Sequence, residues 1–352
     1  MIIYSKSSQT NGSAIGRLET PIKMIIEHES SLLAKAPNIC NTLFNVEKSN
    51  RFGETIITTS DFDVFTATSE GEGAYPDIIN DDKKKFIEHV QFMKEFIITA
   101  EMMEDAQNGI AAEAKRRAEA FTRAYYKTIN KLCTAALSNA KERFFTFSKA
   151  KIDITSPDGC SIFNYNHKWG DSLKSGSQSN YFSGNIFSSG TGSTRKMSTE
   201  AFEEALTELS FKLRNMKDER GEPLGYSADT IILPGNRPIA ELIAKKVCGS
   251  YGTLGSANND ININYGNWNI VVLPTWESDV DQVIIMSSEA NKNLSGNMFF
   301  NRIPLTVSNW VDHHTGNYIW NGRCRFGVGF GSYKHMICAV DSESNVSGAT
   351  KL

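Results

Sequence analysis

The stretch at residues 228–238, ADTIILPGNRP, has the residue types of a phosphate-binding turn: an apolar strand, a glycine and a helix that opens with Pro238. Backbone amides at such a helix N-terminus attract anions. The stretch lacks the G-x-x-x-x-G-K-[ST] and G-x-G-x-x-G patterns, which place several amides around a phosphate. A single Gly235 before Pro238 serves a tight strand-to-helix connection. We therefore predict a structural turn here and no nucleotide.

Two further groups have the residue types of a reactive or metal-binding site. Cys160 and His167 lie close in sequence and could act as a thiol nucleophile with its base, but a turn at 157–159 and alternating aromatic residues over 163–169 favour packing. Asp312, His313 and His314 could bind a metal, but adjacent histidines on a strand point to opposite faces. The pattern favours a turn between strands, and we predict no metal and no cofactor.

Charge points to no polyanionic partner overall, since 37 basic and 40 acidic residues give a net charge of -3. One local exception is a basic stripe on a predicted helix, formed by Lys115, Arg123, Lys127 and Lys131. Such a stripe can contact DNA phosphates without reading sequence. The alternative is a solvated face that Glu113 and Glu119 balance.

The composition indicates a foldable chain in a reducing compartment. The 352 residues are 40% apolar, and the six cysteines are too widely spread for a metal or redox pair. The glycine-rich stretch 188–194 has no apolar strand directly before it, so we predict a mobile loop. No signal-peptide core and no run of about 18 apolar residues occurs. We expect synthesis and assembly in the cytoplasm, with no membrane contact.

The N-terminal half is predicted to contain a flexible arm and a long hairpin. Residues 1–50 lack sustained periodicity and are interpreted as an arm. Residues 51–68 and 86–99 favour extended structure, and a charged, glycine-containing segment separates them. A two-stranded ribbon is marginal in water and needs a third layer. A second copy of the chain is a candidate for that layer.

A long helix and a small α/β layer are predicted next. An apolar stripe over 102–140 predicts a helix roughly 58 Å long, which Gly109 could shorten. Thr199 and Glu200 mark another helix start. Strands and a helix then alternate up to about residue 300. The last section returns to extended, aromatic-rich sequence, which is predicted to complete a sheet begun earlier in the chain.

The order of these parts resembles the major capsid proteins of tailed bacteriophages, and the local phrases are similar to those of Mu-like head subunits. The phrases are FIEHVQFMKEFIITAEMMED, DGCSIFNYNH, GEPLGYSADTIILPGN, NIVVLPTW and NYIWNGRCRFGVGF, spread over about residues 50 to 340. The resemblance implies an α+β chain with the Hong Kong 97 type capsid fold.

The resemblance also implies a division of the chain. The implied parts are an N-terminal arm (1–50), an extended β-hairpin loop (51–98), a peripheral domain (99–197) with its spine helix (102–140), an α/β axial domain (198–300), returning strands of the peripheral domain (301–345) and a C-terminal tail (346–352).

Function and partners follow from the same resemblance. The implied function is a non-enzymatic shell subunit that self-assembles through pentamers and hexamers around double-stranded DNA. Portal, scaffolding and decoration proteins are implied partners. The expected inter-subunit contacts are Phe62, Phe65, Tyr75, Phe86 and Phe92, and the expected DNA-facing residues are those of the basic stripe. The alternatives are an encapsulin-type nanocompartment subunit and an unrelated Cys/His hydrolase or nucleotide-binding enzyme.

Overall fold

The computed structural model describes residues 3–4, 14–36, 38–59, 65, 67–71, 73, 81–99, 101, 110–170, 175–249, 262, 264–342 and 347–352. The chain forms two compact units. Unit 1 comprises Met1–Glu54, Glu88–Cys133 and Phe299–Val328, and unit 2 comprises Thr55–Ile87, Thr134–Met298 and Gly329–Leu352. Helices and strands are mixed along the chain, which confirms the predicted α+β class.

The helices are α1 (Ala14–Lys35), α2 (Ile39–Leu43), α3 (Ile110–Ser138), α4 (Thr199–Arg214), α5 (Pro238–Gly249) and α6 (Ser288–Asn293). The strands are β1 (Ile3–Tyr4), β2 (Asn45–Lys48), β3 (Gly53–Thr59), β4 (Asp81–Glu88), β5 (Val90–Ile98), β6 (Phe144–Phe147), β7 (Ala150–Asp153), β8 (His167–Gly170), β9 (Ser175–Gln178), β10 (Tyr181–Gly184), β11 (Ser188–Ser189), β12 (Lys196–Met197), β13 (Thr230–Pro234), β14 (Asn269–Leu273), β15 (Gln282–Met286), β16 (Asn297–Val311), β17 (Tyr318–Phe330), β18 (Met336–Asp341) and β19 (Thr350–Lys351).

Unit 1 is built on a five-stranded sheet of order β1-β16-β17-β5, with β2 also paired to β16. Strand β17 runs antiparallel to β5, from Tyr318 opposite Ile98 to Phe326 opposite Val90. This pairing confirms the prediction that the last section completes a sheet begun earlier. One side of the sheet packs on α1 and α3 through residues that include Ile26, Phe121 and Trp320.

Residues 1–50, interpreted from the sequence as an arm without sustained periodicity, contain α1, α2 and β2. Proline inside a helical pattern usually ends a helix, yet α1 continues through Pro21. The reason is tertiary, because Ile22 and Ile26 lie one turn apart and are buried against α3. Ser30 Oγ also lies 2.8 Å from the Tyr126 hydroxyl of α3. Packing on a neighbour therefore outweighs the weak local pattern.

Helix α3 carries the apolar stripe that the sequence predicts. Its buried residues include Ala114, Ala118, Phe121, Leu132 and Ala136, at successive spacings of four, three, eleven and four. The predicted helix spans 102–140, whereas the described helix runs from Ile110 to Ser138 and is about 43 Å long. Residues 102–109, with Gly109, lie outside the described part of the chain.

Unit 2 is built on a six-stranded sheet of order β14-β13-β15-β18-β10-β19. Helices α4 and α5 pack on it in one core that includes Phe202, Leu206, Ile231, Ile243 and Ile285. The predicted start of α4 is confirmed, since the Ser198 hydroxyl accepts a hydrogen bond from the Ala201 amide at 3.3 Å. This N-cap satisfies a backbone donor that the helix leaves unpaired.

The predicted hairpin of residues 51–98 differs from the structure. Strand β4 pairs with β3 in a two-stranded ribbon, whereas β5 joins the five-stranded sheet. The second limb is therefore two strands, and the first residues of β4 come from the segment predicted as a flexible tip. Strands β4 and β5 are separated by the buried His89, whose amide donates to Phe52 O at 3.4 Å. The buried positions of β4, 85 and 87, are odd-numbered, whereas the least exposed positions of β5, 90, 92, 96 and 98, are even-numbered, so the buried side of the chain changes there.

None of the helices in the described ranges combines the length and the apolar character needed to cross a bilayer.

Candidate assembly interface

The ribbon of β3 and β4 lies outside both large sheets and has two different sides. On one side, Ile87 is 2% exposed. A Cβ added at Gly329 would lie 2.5 Å from Ile87 Cδ1, and one at Gly331 would lie 3.0 Å from Ile56 Cγ2. Glycine at these two positions therefore lets the ribbon approach the rest of unit 2 closely.

The other side of the ribbon is accessible, and it carries large apolar groups among polar ones such as Thr55 and Lys84. Ile57 of β3 is 43% exposed and Phe86 of β4 is 49% exposed. Phe65, on the segment that joins the two strands, is fully exposed at 106%. Large aromatic and aliphatic groups of this kind are the usual centres of protein–protein contacts. We call Ile57, Phe65 and Phe86 the outer ribbon face.

Lys85 of β4 fixes the base of the ribbon by an ion pair in which the lysine is buried and the aspartate is partly exposed. Its Nζ lies 2.6 Å from Asp153 Oδ1 and donates to Thr155 Oγ1 at 2.5 Å. Burial lowers the pKa of the Lys85 ammonium, and the bond to Asp153 offsets part of that effect. A buried ammonium needs such partners, so the register of β4 on unit 2 is strongly fixed.

Glu219 forms a second fixed point. Its Oε1 lies 2.6 Å from Lys334 Nζ, and its Oε2 lies 3.6 Å from Lys83 Nζ of β4. The Gly170 amide also donates to Oε2 at 3.2 Å. Burial raises the pKa of the Glu219 carboxyl, but its partners, led by Lys334, outweigh this and bring the pKa below its usual range. We call Glu219, Lys334 and Lys83 the Glu219 clamp.

The clamp borders a polar cavity of about 230 Å³ beside strand β3. The residues that line the cavity are Ile56, Ile57, Thr58, Asp218, Glu219, Leu224, Asn293, Leu294, Ser295, Gly331, Ser332 and Lys334. The ribbon base therefore contacts its own unit. Part of the third layer therefore comes from the same chain, and a second copy stays a candidate for covering the outer ribbon face.

The residues predicted as inter-subunit contacts have different surroundings. Phe65 and Phe86 are exposed. Phe92 is half-buried and stacks on Phe326 within the five-stranded sheet, with ring centroids 4.7 Å apart. Phe62 and Tyr75 lie outside the described residues. Only Phe65 and Phe86 of this set are therefore accessible contact candidates in the described structure.

The predicted basic stripe lies on α3, and half of it is neutralised. Lys115 Nζ lies 4.0 Å from Glu119 Oε1, and Arg123 Nη1 lies 3.1 Å from Glu29 Oε1 of α1. Lys127 and Lys131 are exposed. No carboxylate lies within ion-pair distance of Lys127 or Lys131 among the described residues. The structure favours the balanced, solvated alternative for the first two residues.

The glycine turn after β13 has a packing role. A Cβ added at Gly235 would lie 2.7 Å from both Leu273 O and Pro274 Cα, and the Gly235 amide donates to Trp276 O at 3.1 Å. The turn touches the backbone that follows β14, so the close approach explains the glycine without a ligand. This agrees with the predicted structural turn.

Gly235→Ala tests this explanation. The added methyl group meets backbone atoms that cannot rotate away, so we expect a loss of about 1 to 3 kcal/mol in the free energy of unfolding, measured in urea. Gly249→Ala is the matched control, because nothing lies within 4 Å of a Cβ there. Equal stability of the two variants would contradict the packing role of Gly235.

Cys160 and His167 come together with Asp158, but the arrangement suits packing. Asp158 Oδ2 lies 2.7 Å from His167 Nδ1, and Ile162 O lies 3.0 Å from Nε2. Both partners are acceptors, so neither ring nitrogen is left to take a proton from the thiol. The imidazole is fully buried and stacks on Tyr333, with centroids 3.7 Å apart. Burial also raises the pKa of the Cys160 thiol.

The other two candidate sites are structural. Asp312 closes a turn after β16, since Thr315 Oγ1 donates to its Oδ2 at 2.6 Å and the His314 amide to its Oδ1 at 3.1 Å. This confirms the predicted turn.

The glycine-rich stretch 188–194 was predicted as a mobile loop, but it begins with β11, which pairs with β12. Arg195 holds this small hairpin through Asp341 at 2.8 Å, an ion pair that the local sequence does not reveal.

His335 makes stability depend on pH. It is fully buried in unit 2, its Nε2 lies 2.8 Å from Asn297 Oδ1, and burial lowers its pKa from 6.5 to about 3. Between these values the unfolded chain binds a proton and the folded chain does not, so acid favours unfolding. Burial lowers the pKa of His89 of unit 1 in the same direction.

We expect the free energy of unfolding to fall by about 1.4 kcal/mol per pH unit for His335 once the pH is well below 6.5. Urea unfolding at a series of pH values measures this slope. His335→Gln keeps an N–H for Asn297 and should make the free energy of unfolding depend less steeply on pH. A smaller slope should remain in this variant, because His89 still titrates. An unchanged slope in this variant would contradict the assignment. The carboxyl groups of Asp158 and Glu219 have lowered pKa values and act only at more acidic pH.

Known proteins are similar to this chain in structure and not in sequence. No family model matches the sequence, and no curated protein matches it. The chain is similar to the capsid of the Myoviridae phage XM1, with 12% identity, a TM-score of 0.49, and coverage of 88% of this chain and 93% of that chain.

Two other solved structures show the same level of similarity. A structure of Mycobacterium phage Patience has 11% identity and a TM-score of 0.48, with coverage of 98% of this chain and 94% of that chain. A virus-like particle from Pyrococcus furiosus has 7% identity and a TM-score of 0.46, with coverage of 91% and 98%.

Proposed function

We propose that this chain is the major capsid protein of a tailed bacteriophage, a Hong Kong 97 type subunit that self-assembles into a closed icosahedral shell around double-stranded DNA. The observation that carries the proposal is the two-sided ribbon. Its base is fixed to its own unit by Lys85 and the Glu219 clamp, while its outer face presents Ile57, Phe65 and Phe86.

The outer ribbon face supports assembly because exposed apolar area is costly in water. Burial of such area is favourable by about 25 cal/mol per Å². Scattered single hydrophobic residues need no explanation, but Ile57 and Phe86 are exposed on the paired strands of one narrow ribbon, and Phe65 is exposed on the segment that joins these strands. A second copy of the chain is the partner that a shell subunit meets at high local concentration.

The fixed base supports the same function. A closed shell places copies of one chain in similar but unequal environments. A contact element must therefore stay fixed at its base while its far end changes conformation. The ion pair between the buried Lys85 and Asp153 holds the base of the ribbon on unit 2. On this proposal the ribbon corresponds to the extended loop of residues 51–98. Residues 198–300 form the axial domain, 99–197 and 301–345 the peripheral domain, 1–50 the arm and 346–352 the tail.

The proposal includes nonspecific contact with packaged DNA and no catalysis. Lys127 and Lys131 are the exposed members of the basic stripe and the candidates for phosphate contact. The engaged imidazole of His167 supports a structural role for the Cys160 region. Portal and scaffolding proteins, and a possible decoration protein, are the further partners of such a shell, which would assemble in a bacterial cytoplasm and end in the virion.

Electron microscopy of the purified protein tests the proposal. We expect closed, icosahedral particles after expression or on concentration. Particles from infected cells should contain double-stranded DNA, whereas an enclosed protein cargo would point to a nanocompartment. A chain that stays monomeric at all concentrations, by analytical ultracentrifugation, would contradict the assembly function.

A further inference from the structure

Helices α4 and α5 of unit 2 each carry an exposed stripe on the side away from the core. Both helices contribute to one core through residues that include Phe202, Leu209, Ala240 and Val247. An amphipathic surface helix normally presents a polar face to water. The exposed sides of these two helices instead combine apolar and charged residues in a regular order.

The stripe on α4 is acidic at one end and aromatic at the other. Glu204, Glu208 and Phe211 are spaced by four and three residues, so they share one helix face. Phe211 is 66% exposed. The three residues border a shallow surface depression of about 660 Å³, which Glu200, Glu203 and Thr207 also line.

The stripe on α5 is apolar at one end and basic at the other. Ile239, Leu242 and Lys246 are spaced by three and four residues and share one helix face. Ile239 is 56% exposed and Leu242 is 51% exposed. Within the described chain, neither Lys246 nor Glu204 has an oppositely charged side chain within ion-pair distance, whereas Glu208 pairs with Lys212 and Lys245 with Glu241.

The two stripes are complementary when the helices run antiparallel. Phe211 then lies opposite Ile239, Glu208 opposite Leu242, and Glu204 opposite Lys246. The charged end of each stripe is seven residues, about 10.5 Å, from its apolar end, so both ends match at once. A parallel alignment would place Glu204 against Ile239 and Phe211 against Lys246, which buries both charges against apolar groups.

We propose that the α4 stripe of one copy docks antiparallel on the α5 stripe of the next copy. The partner is a second copy because this one chain carries both complementary surfaces. Such a contact is head-to-tail, so each copy uses both stripes, and a series of copies closes into a ring when the rotation between neighbours divides a full turn. The inference rests on the proposed shell function and assigns a ring contact within it, separate from the contact of the outer ribbon face.

A charge exchange tests the pair Glu204 and Lys246. Lys246→Glu alone and Glu204→Lys alone place like charges opposite each other, and we expect at least a tenfold loss of assembled particles in sedimentation at a fixed protein concentration. The double variant restores opposite charges and should recover most of the assembly. Glu289→Lys, at an exposed position on α6, is the control and should assemble as the unmodified chain does.

A cross-link tests the contact without a closed shell. Phe211→Cys combined with Ile239→Cys should give disulfide-linked ladders of the chain under mild oxidation. Each single variant, and Phe211→Cys combined with Glu289→Cys, should not. If particles form and the single charge variants assemble normally, or if the ladder is absent, the inference is overturned while the proposed function stands. If no particles form but the ladder appears, the proposed shell fails and the helix contact stands.

Discussion

The double variant Ile57→Asp, Phe86→Asp is expected to abolish assembly while the chain stays folded. Both side chains belong to the outer ribbon face and are 43% and 49% exposed in the single chain. A carboxylate at either position costs little in water but is strongly unfavourable when a neighbour must bury it. Aromatic interface centres contribute at least about 2 kcal/mol each, and a shell repeats this loss at every copy.

The measurement is sedimentation velocity with electron microscopy, at a concentration where the unmodified chain forms particles. We expect only slowly sedimenting material from the double variant, with an unchanged thermal unfolding midpoint. Thr55→Asp is the matched control, since Thr55 is an exposed residue on the same side of β3 nearer the base. Normal shells from the double variant would show that the outer ribbon face takes no part in assembly.

Glu219→Ala is expected to cause the largest loss of stability of any single change considered. The variant removes the carboxylate that holds Lys334, whose side chain is only 6% exposed. Breaking a buried ion pair by removing one partner costs about 3 to 5 kcal/mol, because the other charge remains buried and unpaired. The clamp also holds Lys83, so the base of the ribbon should loosen at the same time.

Urea unfolding measures the loss, and hydrogen exchange of the β4 amides measures the loosening. The second change Lys334→Met removes the unpaired charge, so the double variant should recover part of the stability. Glu222→Ala, at a nearby exposed carboxylate, should change the free energy of unfolding by less than about 0.5 kcal/mol. Equal effects at Glu219 and Glu222 would contradict the clamp.

The functional side chains differ in how visible they are in the sequence. Phe86 was expected as a contact residue from the family resemblance, and the structure shows that it is 49% exposed. The Glu219 clamp does not follow from the sequence, because Glu219 and Lys334 are 115 residues apart and no local pattern links them. Three lysines at 83–85 are visible in the sequence. Alternation along β4 places Lys84 and Lys85 on opposite sides, and the structure shows that Lys85 is on the buried side. The sequence pattern does not show which side of β4 faces unit 2.

The sequence by itself determined the elements that depend on neighbouring residues. The apolar stripe of α3, the cap at Ser198, the turn at Asp312 and the close turn at Gly235 each depend on side-chain types within a few positions. Helical periodicity, capping and turn chemistry are short-range effects, so one stretch of sequence is sufficient to predict them.

Only the tertiary structure decided which elements associate. Helix α1 is ordered by α3, β4 and β5 separate at His89 into two different sheets, and Arg195 holds a glycine-rich hairpin through Asp341. Each outcome depends on partners far along the chain. Those distant partners set the free energy gained when an isoleucine is buried or a buried charge is paired. Local secondary-structure propensities are smaller than this gain, so they do not decide which elements associate.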